Sequence, residues 1–323
     1  MRGTSIRLRL LLTATAVAAL CNVLGALAGG IVAVVQPGLQ KCAPGDDPVL
    51  YVTFRNDTTN QLVEYLPDEG KVSILPNGMV IVSKDGARLP FLHPPEIDYD
   101  FGERTTLKPG ETFTMRIPLK YVAKLPTEQT GVYEVLAQPQ LFFRGALGSN
   151  TCQFSISPAP SAEPTKGIEG VLQRPDWERK AAFMGGAATK AETMNLVESK
   201  EKEPLVRARA VRLHMFAPLG EEQLSGVEAW GKNGDAVLGL EIVDEARKLK
   251  DAAKVKLLQA CLQNRDLAVR RRAASYLASC DPESIPKAVL RQGLEREKDD
   301  ILLRLIRSML VTNQPITSVP LKR

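Results

Sequence analysis

Between residues 49 and 157 the chain alternates short runs rich in β-branched and aromatic residues with polar turns. Six runs stand out, at 49–53, 71–75, 79–83, 112–119, 132–136 and 152–156. Their rhythm predicts an all-β region. Pro76-Asn77-Gly78 separates two of the runs, and Asn-Gly tolerates the positive φ that a tight hairpin demands; Lys84-Asp85-Gly86 closes the next run in the same manner. Past residue 203 the period changes. Val269, Ala273, Ala274 and Leu277 fall on one face of a 3.6-residue helix, and Ala288, Leu290 and Leu294 recur on the one that follows.

The two halves meet at a run of Ser, Pro, Ala, Glu, Thr and Lys over 157–166, which neither packs nor pairs and reads as a linker at 158–170. Beyond it, Pro175-Asp176-Trp177-Glu178 opens a helix with a proline and acids in its first turn, and 191–199 suggests another after the Met184-Gly185-Gly186 break. This pair forms an irregular helical cap over 171–202.

The helical half repeats itself. An acid followed by apolar residues and often an arginine occurs at Glu203 to Arg207, Asp235 to Gly239, Asp266 to Arg270 and Asp300 to Arg304, with offsets of 32, 31 and 34 residues between the acids. That period fits one helical hairpin per repeat. Asp281-Pro282-Glu283 is suited to a turn that starts a second helix. The pattern resembles HEAT repeats of the short bacterial type, over 203–315. The resemblance implies that the acid caps a helix while the arginine reaches a neighbouring repeat, roles that fall to Glu203 and Arg207, Asp266 and Arg270, and Asp300 and Arg304. Gly239 stands where the second copy needs its arginine, so an interruption of the ladder is expected there.

In the β half, Leu107-Lys108-Pro109-Gly110-Glu111, an alternating strand, and Gly131-Val132-Tyr133-Glu134-Val135 follow in order. Together they resemble secreted bacterial immunoglobulin-like domains, here over 42–157. The resemblance makes Tyr133 the tyrosine whose hydroxyl turns back onto the preceding corner. It also places first and last strands side by side, so a Cys42–Cys152 bond is one expectation and two buried thiols the other. Cys261 and Cys280 stand about 19 Å apart along predicted antiparallel helices, too far to bond. The expected fold class is multidomain α and β: an N-terminal all-β immunoglobulin-like sandwich followed by a C-terminal all-α HEAT-like solenoid.

Arg2, Arg7 and Arg9 precede a mostly apolar stretch at 10–35. Segment 1–35 is therefore expected to direct export, either as a signal peptide cut after Ala26-Leu27-Ala28 or as an uncleaved anchor, a span needing about 20 residues. Cys21 suggests lipidation less well, because Leu20 occupies a place where lipoprotein signals carry a small residue. The product is expected outside the cytoplasm: periplasmic, at the cell surface or secreted. Net charge is +5, and without those three arginines +2, which argues for neither nucleic acid nor a membrane surface as a partner.

Two histidines, His93 and His214, leave little for histidine metal sites or acid-base schemes, and there is no Cys-x-x-Cys pair, phosphate loop or Gly-x-Ser-x-Gly elbow. No cofactor is expected and no enzyme activity. Glu96, Asp98 and Asp100 alternate and would share one strand face, a calcium set in one reading and a solvated loop in the other. Trp177 and Trp230 read as packing residues. First-helix arginines cluster at Arg207, Arg209 and Arg212, at Arg270, Arg271 and Arg272, and at Arg304 and Arg307. Of these, Arg209, Arg212, Arg271, Arg272 and Arg307 would form a basic ridge for an acidic partner, or simply a solvated face. A protein-binding adaptor is the leading expectation. A protease-inhibitor-like or ligand-binding module acting through 89–99 and 138–149 is the second, suggested by the similar layout of the bacterial intracellular proteinase-inhibitor sandwich; a metal-dependent enzyme using the three carboxylates is the third.

Overall fold

The computed structural model describes residues 31–60, 62–65, 80–90, 104–126, 129–137, 150–157, 167–181, 187–216 and 219–311. Outside the described residues lie the segment up to residue 30 that is expected to direct export, the run at 71–75 with its Asn-Gly turn, His93, the carboxylates Glu96, Asp98 and Asp100, the segments 91–99 and 138–149, and the linker at 158–166.

An N-terminal β region is followed by an all-helical region. Strands β1 (Ile31–Pro37), β3 (Val49–Asn56) and β8 (Thr112–Pro118) form an antiparallel sheet in the order β1-β3-β8. A second sheet runs β2 (Lys41–Cys42), β10 (Asn150–Ile156), β9 (Gly131–Ala137), β5 (Val80–Lys84) and β6 (Ala87–Arg88), with β2 parallel to β10 and the other pairs antiparallel. Strands β4 (Leu62–Tyr65) and β7 (Arg104–Leu107) pair as a separate ribbon. Alternation sets the core: Leu50, Val52 and Phe54 of β3 and Phe113, Met115 and Ile117 of β8 point inward with Tyr133, Val135 and Phe154 of the second sheet, all buried. The β5–β6 turn holds Asp85 at φ 50° and Gly86 at φ 83°, the two positive values of a two-residue hairpin loop.

Strand β1 starts within the segment expected to be membrane signal. Ile31, Ala33 and Val35 are each 2% exposed, and β1 pairs with β3 from Ile31↔Asn56 to Pro37↔Leu50. Its opposite face carries Val32 and Val34, so the polar alternation that marks a strand is absent and the run merges with the apolar residues before it. The strand pairing thus begins at Ile31, ahead of residue 42.

Cys42 sits opposite Ile156 in the β2–β10 pairing, so Cys152 lies four residues along β10. At about 3.3 Å per residue that is roughly 13 Å, beyond the reach of a bond. All four described cysteines are free thiols. Burial pushes Cys42 and Cys261 up to about 12 and Cys152 up to about 11.

The helical region opens with α1 (Ile168–Leu172), α2 (Trp177–Ala181) and α3 (Ala187–Glu198). Three helical hairpins follow: α4 (Pro204–Phe216) with α5 (Glu221–Asn233), α6 (Ala236–Ala246) with α7 (Asp251–Cys261), and α8 (Leu267–Leu277) with α9 (Lys287–Arg296). A single helix, α10 (Asp300–Val311), ends them. Helices α4, α6, α8 and α10 pack in succession as an inner row, while α5 and α7 pack against each other outside it. Gly239 lies in this row: a Cβ there would stand 2.8 Å from both methyls of Val269, so the residue sets how closely α6 approaches α8. No helix among the described residues is long and apolar enough to cross a membrane.

The inner row rests on the outer face of the β1-β3-β8 sheet. Helices α6 and α8 meet β8, and α10 meets β7. Tyr51 of β3 is buried with Ala208 of α4 and Val237 of α6. The sheet is consequently covered on both faces, which explains consecutive buried residues in β3 and β8.

Candidate functional site

Where helices and sheet meet, the chemistry is polar. Asp266 is the N-cap of α8, accepting from the N–H groups of Ala268 at 3.0 Å and Val269 at 3.4 Å. The same carboxylate accepts from the Thr114 backbone N–H at 3.3 Å and from the hydroxyls of Thr112 and Thr114 at 2.8 Å each. One side chain thus satisfies a helix start and a strand edge, two sets of donors that burial would otherwise orphan. The device recurs in the next repeat. Asp299 accepts from Leu302 N–H at 3.0 Å in the first turn of α10 and from Thr106 N–H of β7 at 3.4 Å. Glu203, before α4, accepts from Gln40 N–H at 2.7 Å, and Leu205 N–H donates to the Gly38 carbonyl at 3.0 Å. Asp235 alone turns inward along the row, capping α6 through Leu238 N–H and pairing with Arg207 at 2.5 Å.

Guanidinium groups fill the spaces between these acids. Arg270 bonds Glu111, just before β8, and Glu297, at 3.0 Å, while its remaining nitrogen donates to the Asn264 and Arg265 carbonyls at 3.0 Å each. Arg271 joins Asp299 at 2.5 Å to the Thr105 hydroxyl at 2.8 Å. From the sandwich side, Arg116 forks onto Glu241 and Asp244, both at 2.9 Å. Burial pushes the Glu241 carboxyl up from the ordinary range, against the pull of Arg212 and Arg116. Burial also raises Glu297, but Arg270, the N–H groups of Lys298 and Asp299, and Lys108 outweigh it and hold that carboxyl below its usual value. The Tyr51 hydroxyl, in the same layer, is buried without a hydrogen-bond partner.

Four of the five arginines expected to form a ridge, Arg209, Arg212, Arg271 and Arg272, are engaged within the chain. Arg209 donates to the Leu172 carbonyl at 2.5 Å, Arg212 bonds Glu178 and Glu241 at 2.7 Å each, and Arg272 reaches Asp244 at 3.3 Å. Arg209 and Arg212 also lie over the Trp177 ring, itself stacked on Phe216. Arg307 is exposed, as is Arg304, whose Nε lies 3.4 Å from the Asp300 carbonyl within its own helix. The capping carboxylate of α10 is Asp299, one residue before Asp300, because two adjacent acids leave the register of the fourth copy open in the sequence. The Tyr133 hydroxyl donates to the Gln129 carbonyl at 2.7 Å. His214 is buried, edge-on to Trp230, and burial, with Lys190 adding to it, holds it below the usual histidine value.

The sequence pattern singles out none of Arg116, Glu241, Asp244 and Asp299, and it marks Glu111 only as the end of the 107–111 motif. A signal existed for Arg116, a charge inside an otherwise uncharged strand run, and for Asp299, which brings the last offset to 33 residues. Nothing local marks Glu111 as the partner of Arg270.

At one end of this seam the turn 108–111 of the sandwich meets the third and fourth repeats around a cavity of about 420 Å³. Arg265 donates to the Gly110 carbonyl at 2.9 Å and Lys108 to the Arg296 carbonyl at 2.6 Å, so sandwich and helices both build its wall. Among the described residues no group of three potential metal ligands comes together.

No protein-family model matches the chain, and no curated protein does. Among solved structures it is similar to the native conformation of E. coli alpha-2-macroglobulin, at 15% identity over 86% of this chain and 21% of that one, with a TM-score of 0.22. The chain therefore spans about a fifth of that structure's length, and a superposition this loose sets neither fold nor activity.

Proposed function

We propose that the chain is an exported, non-catalytic scaffold that binds another protein with its sandwich and its helical repeats acting as one body. The observation that carries this reading is the seam: carboxylates at helix starts grip strand N–H groups, and Arg116, Arg270 and Arg271 span the junction. A chain that commits Arg270 and Arg271 of its helices to its own sandwich holds a composite surface in fixed relation, which suits recognition better than it suits a flexible tether. Export follows from the apolar segment ahead of β1; cleavage after Ala28 spares that strand, and an anchor ending by Gly30 also does.

Two finer assignments support the same picture. The sheet orders β1-β3-β8 and β2-β10-β9-β5-β6, with the Tyr133 hydroxyl on an upstream carbonyl, favour an immunoglobulin-like reading of the sandwich. Acids 31 to 33 residues apart, each opening an inner helix, favour a HEAT-like reading of the helices. To test the scaffold, the full chain would be cross-linked in its native envelope and the captured protein reconstituted from pure components. Stoichiometric binding is expected; failure of any captured protein to bind in pure form would sink the reading.

A further inference from the structure

The cavity beside the 108–111 turn carries the chemistry of a ligand site. Its wall holds five cations, Lys108, Lys232, Arg265, Arg270 and Arg296, against two carboxylates, Glu111 and Glu297, a net of three positive charges. Both carboxylates are already consumed by Arg270. Lys232 and Arg296 are exposed, and among the described residues neither pairs with an acid. Beneath the charges lie Leu262 and Val289, partly exposed, over buried Leu302 and Ile306. The exposed amides of Gln263 and Gln292 offer both a donor and an acceptor, the pair of groups a peptide bond presents in return. The volume falls within the roughly 300–1,000 Å³ of ligand pockets, which occur preferentially at domain junctions.

We infer that this cavity binds a short acidic peptide segment of a partner protein, with an aliphatic side chain on the Leu262–Val289 floor and flanking carboxylates on Lys232 and Arg296. A bare anion would use the rim but leave the apolar floor and the two amides unmatched. An apolar ligand would leave the charges unanswered. The mixed composition selects a peptide in which glutamate or aspartate alternates with a leucine-like residue. This inference rests on the scaffold reading and deepens it.

The test is a fluorescence-anisotropy titration of the full chain, kept in detergent, with a labelled hexapeptide alternating glutamate with leucine. Saturable binding is expected, weakened by about tenfold in the Lys232→Glu/Arg296→Glu double variant and weakened by added salt. These two side chains are exposed and unpaired, so circular dichroism of the variant should match the parent. A peptide alternating glutamate with glycine should bind more weakly, and one alternating lysine with leucine should not bind. Equal binding by the double variant, equal binding of the lysine peptide, or no saturation would overturn the assignment. Displacement by millimolar inorganic phosphate as effective as by unlabelled peptide would also overturn it, making the cavity a general anion site. A reconstituted protein partner that ignores the double variant would remove the pocket while leaving the scaffold standing; a titrating peptide with no protein partner would do the reverse.

Discussion

Asp266 serves two structures at once, and its substitutions separate them. Removing the carboxylate in Asp266→Ala loses the α8 cap, worth about 1 kcal/mol, and strands the buried Thr114 N–H at about 1–3 kcal/mol, so a loss near 3 kcal/mol is expected. Asp266→Asn keeps an oxygen for the cap and should lose much less; urea midpoints of the two variants check the difference. Tyr51→Phe removes a buried hydroxyl that has no partner, and should leave stability unchanged or raise it by up to about 1 kcal/mol in the same assay. Acid should act through Glu297. Its carboxyl lies below the ordinary value in the fold, so its contribution is complete above the unfolded glutamate pKa of about 4.3 and drains away as pH falls through the lowered folded value. Glu241, raised by burial, works in the opposite sense, since the folded state holds its proton more tightly. The expected result is that Glu297→Gln lowers Tm at pH 7, and that its deficit shrinks between pH 5 and pH 3; a deficit constant across that range would exclude the Arg270–Glu297 contact as its source.

Among the elements, α6 shows why a pattern departure is informative. Read along the sequence, Gly239 is an arginine missing from a ladder; in the fold it lies against the Val269 methyls, where any side chain must push α6 off α8. Gly239→Ala is therefore expected to destabilise by about 1–3 kcal/mol in spite of alanine's better helix propensity, and a stabilised variant would show the row to be looser than drawn. The helices were legible because their apolar stripe has a 3.6-residue period and their acids recur, and five strands were legible because alternation and turn residues frame them. Strand β1 was not, since Val32 and Val34 erase its alternation. The sixth expected run, at 71–75, falls outside the described residues, and the short β2 and β6 span two residues each, too few to show a period. The site was legible only in part. The sequence marks arginines that repeat, but pairing partners such as Glu111 for Arg270 lie 159 residues away, and no local pattern encodes them.

For the whole molecule, the seam predicts one cooperative unfolding event. Trp177 and Trp230 report on the helices, and labelling of Cys42 and Cys152, read residue by residue by mass spectrometry, reports on the sandwich. The two signals should share a urea midpoint in the parent chain. Arg271→Ala leaves Asp299 buried without its guanidinium, at a cost of about 3–5 kcal/mol, and should split the midpoints if the seam is what couples the halves. The grip itself has a hereditary side. Asp266, Asp299 and Glu203 hold main-chain N–H groups at Thr114, Thr106 and Gln40, groups every residue except proline possesses. Point changes on that face of the sandwich, those at the hydroxyl donors Thr112 and Thr114 apart, can accumulate over generations without loosening these contacts, whereas a single inserted or deleted codon early in β8 shifts the Thr114 donor away from Asp266. Gene lineages that keep this architecture should show drift in letters and near-invariance in spacing.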